Sequence, residues 1–434
     1  MRIAHLSDLH FGSPKTLAEV ERCTAFAIDA AVDAGAELAV ISGDSTDHAI
    51  DVHSPSFVAL ARLVRRLADH CPVLMLQGTY SHEPPGTLDV FRLLGGRFPV
   101  HVADRIHQVA WCGPRGWVAS NSWRFDDMPA GAQVLLSCVP TVNKATVAAA
   151  VGTQAAAEAV GQHLVALLAG FGEINAQAAA AGVPTVGVSH GTVSGCVTEH
   201  GVPMAGLDHE FTTGSLFAAQ AAAFMLGHIH KHQAWEQGGR VIAYPGSIGR
   251  LHYGEEDAKG CLLWDVSPIG ASFRFIETPA RRMLHLTFNG RPDMDAVRAA
   301  ASDAAGAFVR VRWQIAEEER ASVDRAEIER LLAGAAELRL EGRVVPLLRA
   351  RAAGISAAPT LADKLRRWAA LAGVDGEPLV ERLAWLQATP PDEISRAVLT
   401  DLAELAGTAA ERQPCSRPPE RVQIMADLFG EQNC

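Results

Sequence analysis

The chain has 434 residues, of which 48% are hydrophobic and 20% are charged, and its formal net charge at pH 7 is −11. This length exceeds what a single hydrophobic core usually supports, so we expect two or three domains, and the composition excludes an intrinsically disordered chain. The acidic balance gives no overall signature of nucleic-acid binding, so any such contact has to come from local basic patches or bound cations.

The N-terminus and the cysteines indicate the compartment. The opening sequence MRIAHLSDLH has no basic segment followed by an apolar one, and the chain has no apolar run of about 18 residues. We therefore expect a cytoplasmic protein with no membrane partner. The eight cysteines are scattered without CxxC spacing, which argues against a zinc ribbon or a disulfide framework and indicates small buried side chains or inert surface thiols.

Short apolar strands alternate with helical segments along residues 1–280, which predicts a layered α/β domain. Helices are expected over residues 16–34, from Pro55 onward and in the alanine-rich stretch 145–182. Polar residues are concentrated after the strands, where open α/β sheets bind their ligands. The strands are expected at 2–6, 37–41, 72–77, 183–188, 223–226, 260–265 and 272–276.

Carboxylates and imidazoles follow five of these strands. The histidines of Gly227-His228-Ile229-His230, taken alone, are equally well explained as ordinary loop residues. Their spacing in an extended chain would aim both rings the same way. Such residues at five strand ends are not a chance placement, because buried polar groups need partners and a metal ion supplies them. The residues concerned are Asp8, His10, Asp44, His82, His190, His228 and His230.

The donor types indicate the kind of metal. Carboxylates and imidazoles without thiolates suit Mn²⁺, Fe²⁺ or Zn²⁺ better than Ca²⁺. Six or more ligands exceed what one tetrahedral ion uses. They suit two ions about 3.5–4 Å apart that share a bridging carboxylate, an arrangement that serves phosphoester cleavage.

These motifs together resemble those of the calcineurin-like metallophosphoesterases. The segment YPGS with the following Ile248-Gly249-Arg250 shows a narrower resemblance, to the SbcD-type DNA repair nucleases. The resemblance covers residues 1–280 and extends to a small unit that ends near residue 345. It implies a layered αββα sandwich with a small α/β cap domain and C-terminal helices. The matching segments are DLH at 8–10, GDSTD at 43–47, His190-Gly191, GHIH at 227–230 and YPGS at 244–247.

The resemblance also implies roles for individual residues. His82 would protonate the leaving 3′ oxygen or orient the phosphate, and a water shared by the ions would be the nucleophile. The ions are expected to be manganese, with iron or zinc as alternatives. Asp47 either orients a ligand histidine or forms a turn or cap. The implied ligands are Asp8, His10 and His230 for one ion, His190 and His228 for the second, and Asp44 as the bridge.

The third motif departs from the family pattern, because GTYSHE at 78–83 replaces GNHD. The family asparagine would give a carbonyl oxygen to the second ion. Only Thr79, Ser81 or His82 lies close enough in this sequence to replace it. A hydroxyl is usually a weaker ligand than a carbonyl or carboxylate oxygen, so we expect the second site to differ in affinity or in metal choice.

Beyond residue 280 the composition changes. Residues 281–345 read as strand, helix, strand, helix, strand, which predicts a compact α/β unit, the capping domain of the resemblance. Residues 358–407 are expected to form two or three amphipathic helices as a partner-binding region, and Leu361 and Trp368 lie on one apolar stripe. These helices either dock on an SbcC-like ATPase, as the family implies, or pack on their own catalytic domain.

Residues 408–434 are expected to be a linker and a terminal peptide, because the segment is rich in proline. The sequence MADLF at 425–429 resembles the short peptides that bind the bacterial sliding clamp, with Met425 and Ala426 departing from that pattern. The alternative is a terminal helix that packs on its own chain.

The sequence therefore predicts a metal-dependent DNA nuclease. We expect it to be an exonuclease, and endonuclease activity is a further option. Its expected partners are DNA and an SbcC-like ATPase, with a homodimer left open. Two alternatives remain: a phosphatase or cyclic-nucleotide phosphodiesterase with the same metal centre, and a non-catalytic scaffold whose third motif has degenerated. Comparing the turnover of DNA with that of small phosphoesters distinguishes the nuclease from the first alternative. Analysis of bound metal distinguishes it from the second.

Overall fold

The computed structural model describes residues 1–141, 153–198, 210–346 and 354–409. The chain divides into two compact units, Met1–Val345 and Pro346–Cys434. Among the described helices, none is both long enough and apolar enough to cross a membrane.

The first unit contains the strands and most of the helices. In chain order the strands are β1 (Arg2–Leu6), β2 (Leu38–Ile41), β3 (Val73–Leu76), β4 (Val100–Ala103), β5 (His107–Trp111), β6 (Trp117–Ala119), β7 (Val134–Val139), β8 (Thr185–His190), β9 (Thr192–Val193), β10 (Glu210–Phe211), β11 (Ala223–Gly227), β12 (Gln233–Gln237), β13 (Arg240–Tyr244), β14 (Gly260–Ser267), β15 (Gly270–Glu277), β16 (Met283–Asn289), β17 (Phe308–Ala316) and β18 (Glu337–Val345). The helices are α1 (Leu17–Asp33), α2 (Pro55–Ala68), α3 (Thr153–Ala180), α4 (Thr213–Ala218), α5 (Met294–Ala299), α6 (Ala301–Ala304) and α7 (Arg325–Leu331), followed in the second unit by α8 (Leu361–Ala372), α9 (Glu377–Ala388) and α10 (Pro391–Ala409).

Two mixed sheets stack face to face in the first unit. The first has the strand order β15-β14-β1-β2-β3-β4 and the second the order β12-β13-β11-β8-β7-β5-β6. Apolar side chains of both sheets form the core between them, such as Ile3 and Val40 from the first and Leu136, Val188 and Met225 from the second. The central strands are buried along their whole length, which explains why they read as continuous apolar runs in the sequence.

Helices cover the two outer faces of this pair of sheets. Helices α1 and α2 pack on the first sheet through residues such as Val20 and Leu60. Helices α3 and α4 pack on the second through residues such as Phe171 and Leu216. The result is a layered αββα sandwich, so the predicted α/β fold class is confirmed.

Helix α2 begins where the sequence places its start. The Ser54 hydroxyl accepts a hydrogen bond of 3.1 Å from the backbone N–H of Phe57, and Pro55 occupies the first helical position. A cap of this kind contributes about 1 kcal/mol, and proline there gives up no needed donor. Leu60 and Leu67 form the stripe that faces the sheet.

The sequence does not predict β4 to β7, β12 or β13, because polar residues interrupt the apolar pattern of several of them. In β4 and β5 the Nε2 atoms of His101 and His107 are 2.9 Å apart. Gln108 of β5 donates a hydrogen bond of 3.1 Å to Ser137 of β7. Since these side chains satisfy one another, His107, Gln108 and Ser137 are buried without giving an apolar signal in the sequence.

The third sheet consists of β16, β17 and β18 paired in parallel. Along β17, Val309, Val311 and Trp313 face a small core that α5 and α7 close with Val297 and Ile328. Alternate residues of a strand point to opposite faces, so the second face of this sheet is polar. The strand, helix, strand, helix, strand succession predicted for this part of the chain is present. The charged residues at the centre of the polar face are Arg310, Arg312, Arg339 and Glu341.

The second unit contains α8, α9 and α10, where two or three amphipathic helices are predicted. Thr360 caps α8 by accepting a backbone hydrogen bond through its hydroxyl. Leu361 and Trp368, which lie on the predicted apolar stripe, are exposed, and so is Leu371 of the same helix. The segment 425–429 lies outside the described residues.

Candidate metal centre

The site forms where five strands of the sandwich end. Strands β1, β2 and β3 are parallel neighbours in the first sheet, and β8 and β11 are parallel neighbours in the second. Neighbouring parallel strands end at the same edge of a sheet, so the residues that follow them converge. The structure brings together all seven predicted site residues: Asp8 and His10 follow β1, Asp44 follows β2, His82 follows β3, His190 ends β8, and His228 and His230 follow β11.

The first group consists of Asp8, His10 and His230, whose donor atoms lie within 4.8 Å of one another. The Nε2 atoms of His10 and His230 are 3.1 Å apart, and His230 Nε2 is 3.9 Å from Asp8 Oδ1. Two imidazole nitrogens this close either share a proton or face a common cation. The adjacent carboxylate favours the cation.

The second group consists of Asp44, His190 and His228, again within 4.8 Å. Asp44 Oδ2 lies 3.2 Å from His190 Nε2 and 3.9 Å from His10 Nε2 of the first group. The ring centroids of His190 and His228 are 5.2 Å apart. Asp44 therefore lies within reach of both groups, where a bridging carboxylate would have to be. Coordination of a metal ion by each of these side chains stays a prediction.

Hydrogen bonds on the far side of the ligands fix their orientation. His190 Nδ1 donates to the Ser42 carbonyl at 2.8 Å, which leaves Nε2 facing Asp44. Both carboxylate oxygens of Asp8 accept the backbone N–H of His228 at 3.1 Å. The Asp47 carboxylate lies 3.5 Å from His10 Nδ1. This is an ion-pair distance rather than a hydrogen bond, so the orienting role of Asp47 stays a prediction beside the turn or cap.

The backbone of the site is strained at four ligand positions. Asp8, His10 and Asp44 have φ of 50°, and His228 has φ of 104°. Such values cost roughly 1–3 kcal/mol each in residues with a side chain and cluster at functional sites. The prediction that an extended chain aims both rings of GHIH the same way is wrong, because the turn at His228 sends its ring to the second group while His230 joins the first.

Two glycines of the motifs are required by the close approach of the strand ends. Gly43 has φ of 104°, and a Cβ added there would overlap the His190 ring. A Cβ at Gly78 would overlap the carboxylate and the backbone nitrogen of Asp44. Only glycine leaves room for both contacts.

The pKa values show that the site stabilises positive charge. Burial by itself raises the pKa of Asp44, but His190 holds it well below its usual value. Burial lowers the pKa of His190, yet the Asp44 carboxylate outweighs this and raises it to about 9. The pKa of His230 also rises to about 9, because the Glu255 carboxylate outweighs the effect of burial. Protons and metal cations compete for such a site.

The altered third motif still brings an oxygen to the second group. Thr79 Oγ1 lies 3.2 Å from Asp44 Oδ2 and 3.2 Å from His190 Nε2. His82 Nδ1 lies 2.8 Å from Asp44 Oδ2, and this hydrogen bond raises the pKa of His82. Ser81 is exposed. Of the two hydroxyls considered as replacements for the asparagine, those of Thr79 and Ser81, that of Thr79 is therefore the one that faces the second group.

Two buried charged residues behind His230 have no signal in the sequence. Glu255 Oε1 accepts a hydrogen bond of 2.7 Å from His230 Nδ1, and its Oε2 lies 3.5 Å from Lys259 Nζ. Lys259 Nζ also donates to the His230 carbonyl at 2.9 Å. Burial by itself raises the pKa of Glu255, but the bond with His230 brings it down to about 2. Both residues lie in the loop between β13 and β14, where no periodicity indicates burial.

Glu83 is a second buried carboxylate outside the predicted ligands. Its two oxygens accept backbone N–H groups of Ser45 and Gly78, each at 2.5 Å. Burial and the neighbouring Asp44 raise the pKa of Glu83 to about 7. The sequence places Glu83 in the third motif but does not show that it joins the loops after β2 and β3.

The two groups fit two divalent cations. Each offers one buried carboxylate and two imidazoles, and Asp44 lies within reach of both. Oxygen and nitrogen donors of this kind suit Mn²⁺, Fe²⁺ or Zn²⁺, and no cysteine takes part in the groups found among the described residues.

Comparisons with known proteins return similar structures but no family. No family model matches the chain, and no curated protein matches it. GAP50, described as the anchor in the inner membrane complex of Plasmodium, is 12% identical over 64% of this chain and 85% of its own, with a TM-score of 0.40. A dimetal phosphatase from Danio rerio is 9% identical over 63% of this chain and 98% of its own, with a TM-score of 0.35.

A predicted phosphoesterase from Streptococcus pneumoniae is 11% identical over 63% of this chain and 97% of its own, with a TM-score of 0.22. All three TM-scores are below 0.5, so the residues of the site, and not these neighbours, define the chemistry that it can carry out.

Proposed function

We propose that the chain is a metal-dependent phosphoester hydrolase whose substrate is DNA. The observation that carries the hydrolase proposal is the position of Asp44, whose carboxylate lies within 3.9 Å of an imidazole nitrogen in each of the two groups. A carboxylate shared by two clusters of oxygen and nitrogen donors is the arrangement that two-metal phosphoesterases use. DNA as the substrate rests on the similarity of the YPGS segment to the SbcD-type nucleases.

The ions, when bound, would supply a water of lowered pKa and positive charge beside the phosphate. The protein's own residues then have three tasks. Asp8 and Asp44 hold negative charge in a buried site, where it attracts cations strongly. Ser42 and Glu255 orient ligand imidazoles through their far nitrogens. His82, half-exposed beside Asp44, gives a proton to the leaving oxygen.

Removal of metal is expected to abolish turnover and to lower the stability of the fold. Protein dialysed against EDTA should cleave neither DNA nor small phosphoesters, and Mn²⁺ should restore activity. Each ion at about 100 times its dissociation constant should stabilise the folded state by about 2.7 kcal/mol, because it binds only that state. Thermal unfolding and turnover are measured together across titrations of Mn²⁺, Zn²⁺ and Fe²⁺.

The same titration separates the alternatives. Unchanged turnover in EDTA would contradict the two-metal proposal, and absence of bound metal by elemental analysis would favour a non-catalytic scaffold. Faster turnover of p-nitrophenyl phosphate or a cyclic nucleotide than of single- or double-stranded DNA would favour a phosphatase or a cyclic-nucleotide phosphodiesterase. Preference for Zn²⁺ or Fe²⁺ would correct the expectation of manganese.

Replacement of His82 by alanine is expected to lower kcat about 100-fold without loss of bound metal. The reason is that a positioned general acid contributes about 10²–10⁴-fold. His82 lies outside the Asp8 and Asp44 groups, although one of its donor atoms also comes within 4.8 Å of donor atoms of His10 and Asp47. The loss should be smaller with a substrate whose leaving group is a good one, such as a p-nitrophenyl ester, since it needs no proton. An equal loss with both substrates, or loss of metal, would argue against the proton-donor role.

The partner predictions stay proposals. Exposed apolar residues of α8, among them Leu361 and Trp368, are the proposed contact for an SbcC-like ATPase. Clamp binding through residues 425–429 is proposed on the sequence alone, and recovery of no clamp by the isolated tail would contradict it.

A further inference from the structure

A cavity of about 660 Å³ lies beside the candidate metal centre. One wall is the loop between β13 and β14, and the other is the polar face of the third sheet. The residues of its walls that matter here are Lys231, His252, Arg310, Arg312 and Arg339.

His252 connects this cavity to the metal centre. Its Nε2 lies 3.3 Å from Glu255 Oε1, the oxygen that also accepts the hydrogen bond from His230 Nδ1. The ring centroids of His230 and His252 are 6.4 Å apart. The cavity therefore lies next to His230 of the first group, on the side of its Nδ1 atom.

The cavity carries a surplus of positive charge on the third sheet. Arg310 donates to both oxygens of Glu341 at 3.0 Å and 2.8 Å. Arg312 Nε and Arg339 Nε lie 2.9 Å and 3.1 Å from the same carboxylate. Three guanidinium groups thus share one carboxylate, so two positive charges are left over in a chain whose formal net charge is −11.

The two acidic residues that also line the cavity cancel only part of this surplus. Asp257 pairs with Lys231 at 3.3 Å, and Glu256 lies 3.8 Å from the His285 imidazole. Because a neutral imidazole does not compensate Glu256, this carboxylate offsets one of the two remaining charges and one positive charge of the arginines is left over.

The arginines are held in place and yet accessible. Arg310 and Arg339 each lie 5.9 Å from the ring centroid of Tyr253, which is buried in the opposite wall. The side chains of Arg312 and Arg339 are 48% and 60% exposed. Glu341 contacts both through Nε, which leaves the end of each guanidinium, formed by its two Nη nitrogens, for a further ligand. Such a fork is suited to bind phosphate through two hydrogen bonds.

We infer that this cavity binds the phosphodiester backbone of a DNA strand whose cleaved phosphate lies at the metal centre. The inference deepens the proposed function and rests on it. A single strand carries one charge per about 3.4 Å of helix axis, so a strand bound at the centre brings further phosphates to the cavity. A small phosphoester has no second phosphate to place there. The arginines thus select a polymer over a small substrate.

The test uses the full chain with Arg312→Gln and Arg339→Gln combined, which leaves the Arg310 pair with Glu341 intact. The readout is the ratio of kcat/KM for a single-stranded DNA oligonucleotide to that for bis(p-nitrophenyl) phosphate. We expect this ratio to fall about 10- to 100-fold at low salt. The slope of log binding constant against log salt concentration should decrease by about 1–2, because two phosphate contacts are lost. The matched control is Arg62→Gln with Arg65→Gln, two exposed arginines of α2 that also have acidic partners.

An unchanged ratio in the double variant, with both substrates turned over, would overturn the inference and leave the proposed function standing. A ratio that falls equally in the α2 control would also overturn it, since the effect would then be one of overall charge. If the unaltered protein turns over neither substrate, the proposed function fails. In that case the cavity is tested by binding of a fluorescein-labelled oligonucleotide in EDTA. An unchanged slope of log binding constant against log salt concentration in the double variant would contradict the cavity as the DNA-binding surface.

Discussion

The Asp44→Ala variant is expected to lose at least about 10⁴-fold in kcat/KM on DNA and on small phosphoesters alike, or about 5.5 kcal/mol of transition-state stabilisation. Asp44 Oδ2 lies within reach of His190 in one group and His10 in the other, so its removal takes a donor from both. It also removes the hydrogen-bond partner of His82. The measurements are steady-state turnover and the metal content of the purified variant.

The matched control for this variant is Asp33→Ala, an exposed aspartate at the end of α1. Its removal should change neither turnover nor metal content. Because Asp44 is buried among histidines, far-ultraviolet circular dichroism is needed to show that the variant is folded. Full activity in folded Asp44→Ala protein would contradict the assignment of Asp44 as the shared ligand.

The free energy of unfolding of the Glu255→Ala variant is expected to be about 3–5 kcal/mol lower than that of the unaltered chain when both are measured in EDTA. The side chains of Glu255 and Lys259 are fully buried and 3.5 Å apart. Loss of the carboxylate leaves the Lys259 ammonium as an uncompensated buried charge and removes the partner of His230 Nδ1. Denaturant titration gives the change in free energy.

A double-mutant cycle separates the ion pair from the loss of packing. Glu255→Gln combined with Lys259→Met should be less destabilising than the sum of the two single changes, with a coupling energy of about 0.5–3 kcal/mol. The neighbouring Glu256→Ala is the matched control, since Glu256 is 72% exposed. Additive single changes would show that the two buried residues act independently.

Glu255→Gln should also weaken metal binding at the first group about 10- to 100-fold. The cause is that a neutral amide orients the His230 ring less strongly than a carboxylate does. Calorimetric titration with Mn²⁺ gives the affinity. Unchanged affinity would restrict Glu255 to a role in stability.

Much of the sandwich could be predicted from the sequence, because its central strands are buried on both faces and read as continuous apolar runs. The strands at 2–6, 37–41 and 223–226 are found within a residue or two of their predicted bounds. Strands β4 and β5 could not be predicted, since their polar side chains find partners inside the fold: His101 pairs with His107, and Gln108 donates to Ser137. A buried polar residue looks the same in a sequence as an exposed one.

The sequence by itself determined which side chains follow the strands and hence which chemistry is available. Carboxylates directly after neighbouring parallel strands have to meet at one edge of a sheet, so Asp8 and Asp44 could be brought together without coordinates. His190 ends a strand of the second sheet and joins them because the two sheets stack face to face. The altered third motif was equally visible, because it is a local change of residue type.

Only the tertiary structure shows the physical reason why these side chains form two groups, and which residues support them. The positive φ at His228 separates its ring from that of His230, although the two residues are neighbours in the same motif. Glu255 and Lys259 reach His230 from a distant loop, and the arginines of the third sheet reach the same region from another sheet. Contacts between segments far apart in the chain depend on packing, and no local periodicity encodes them.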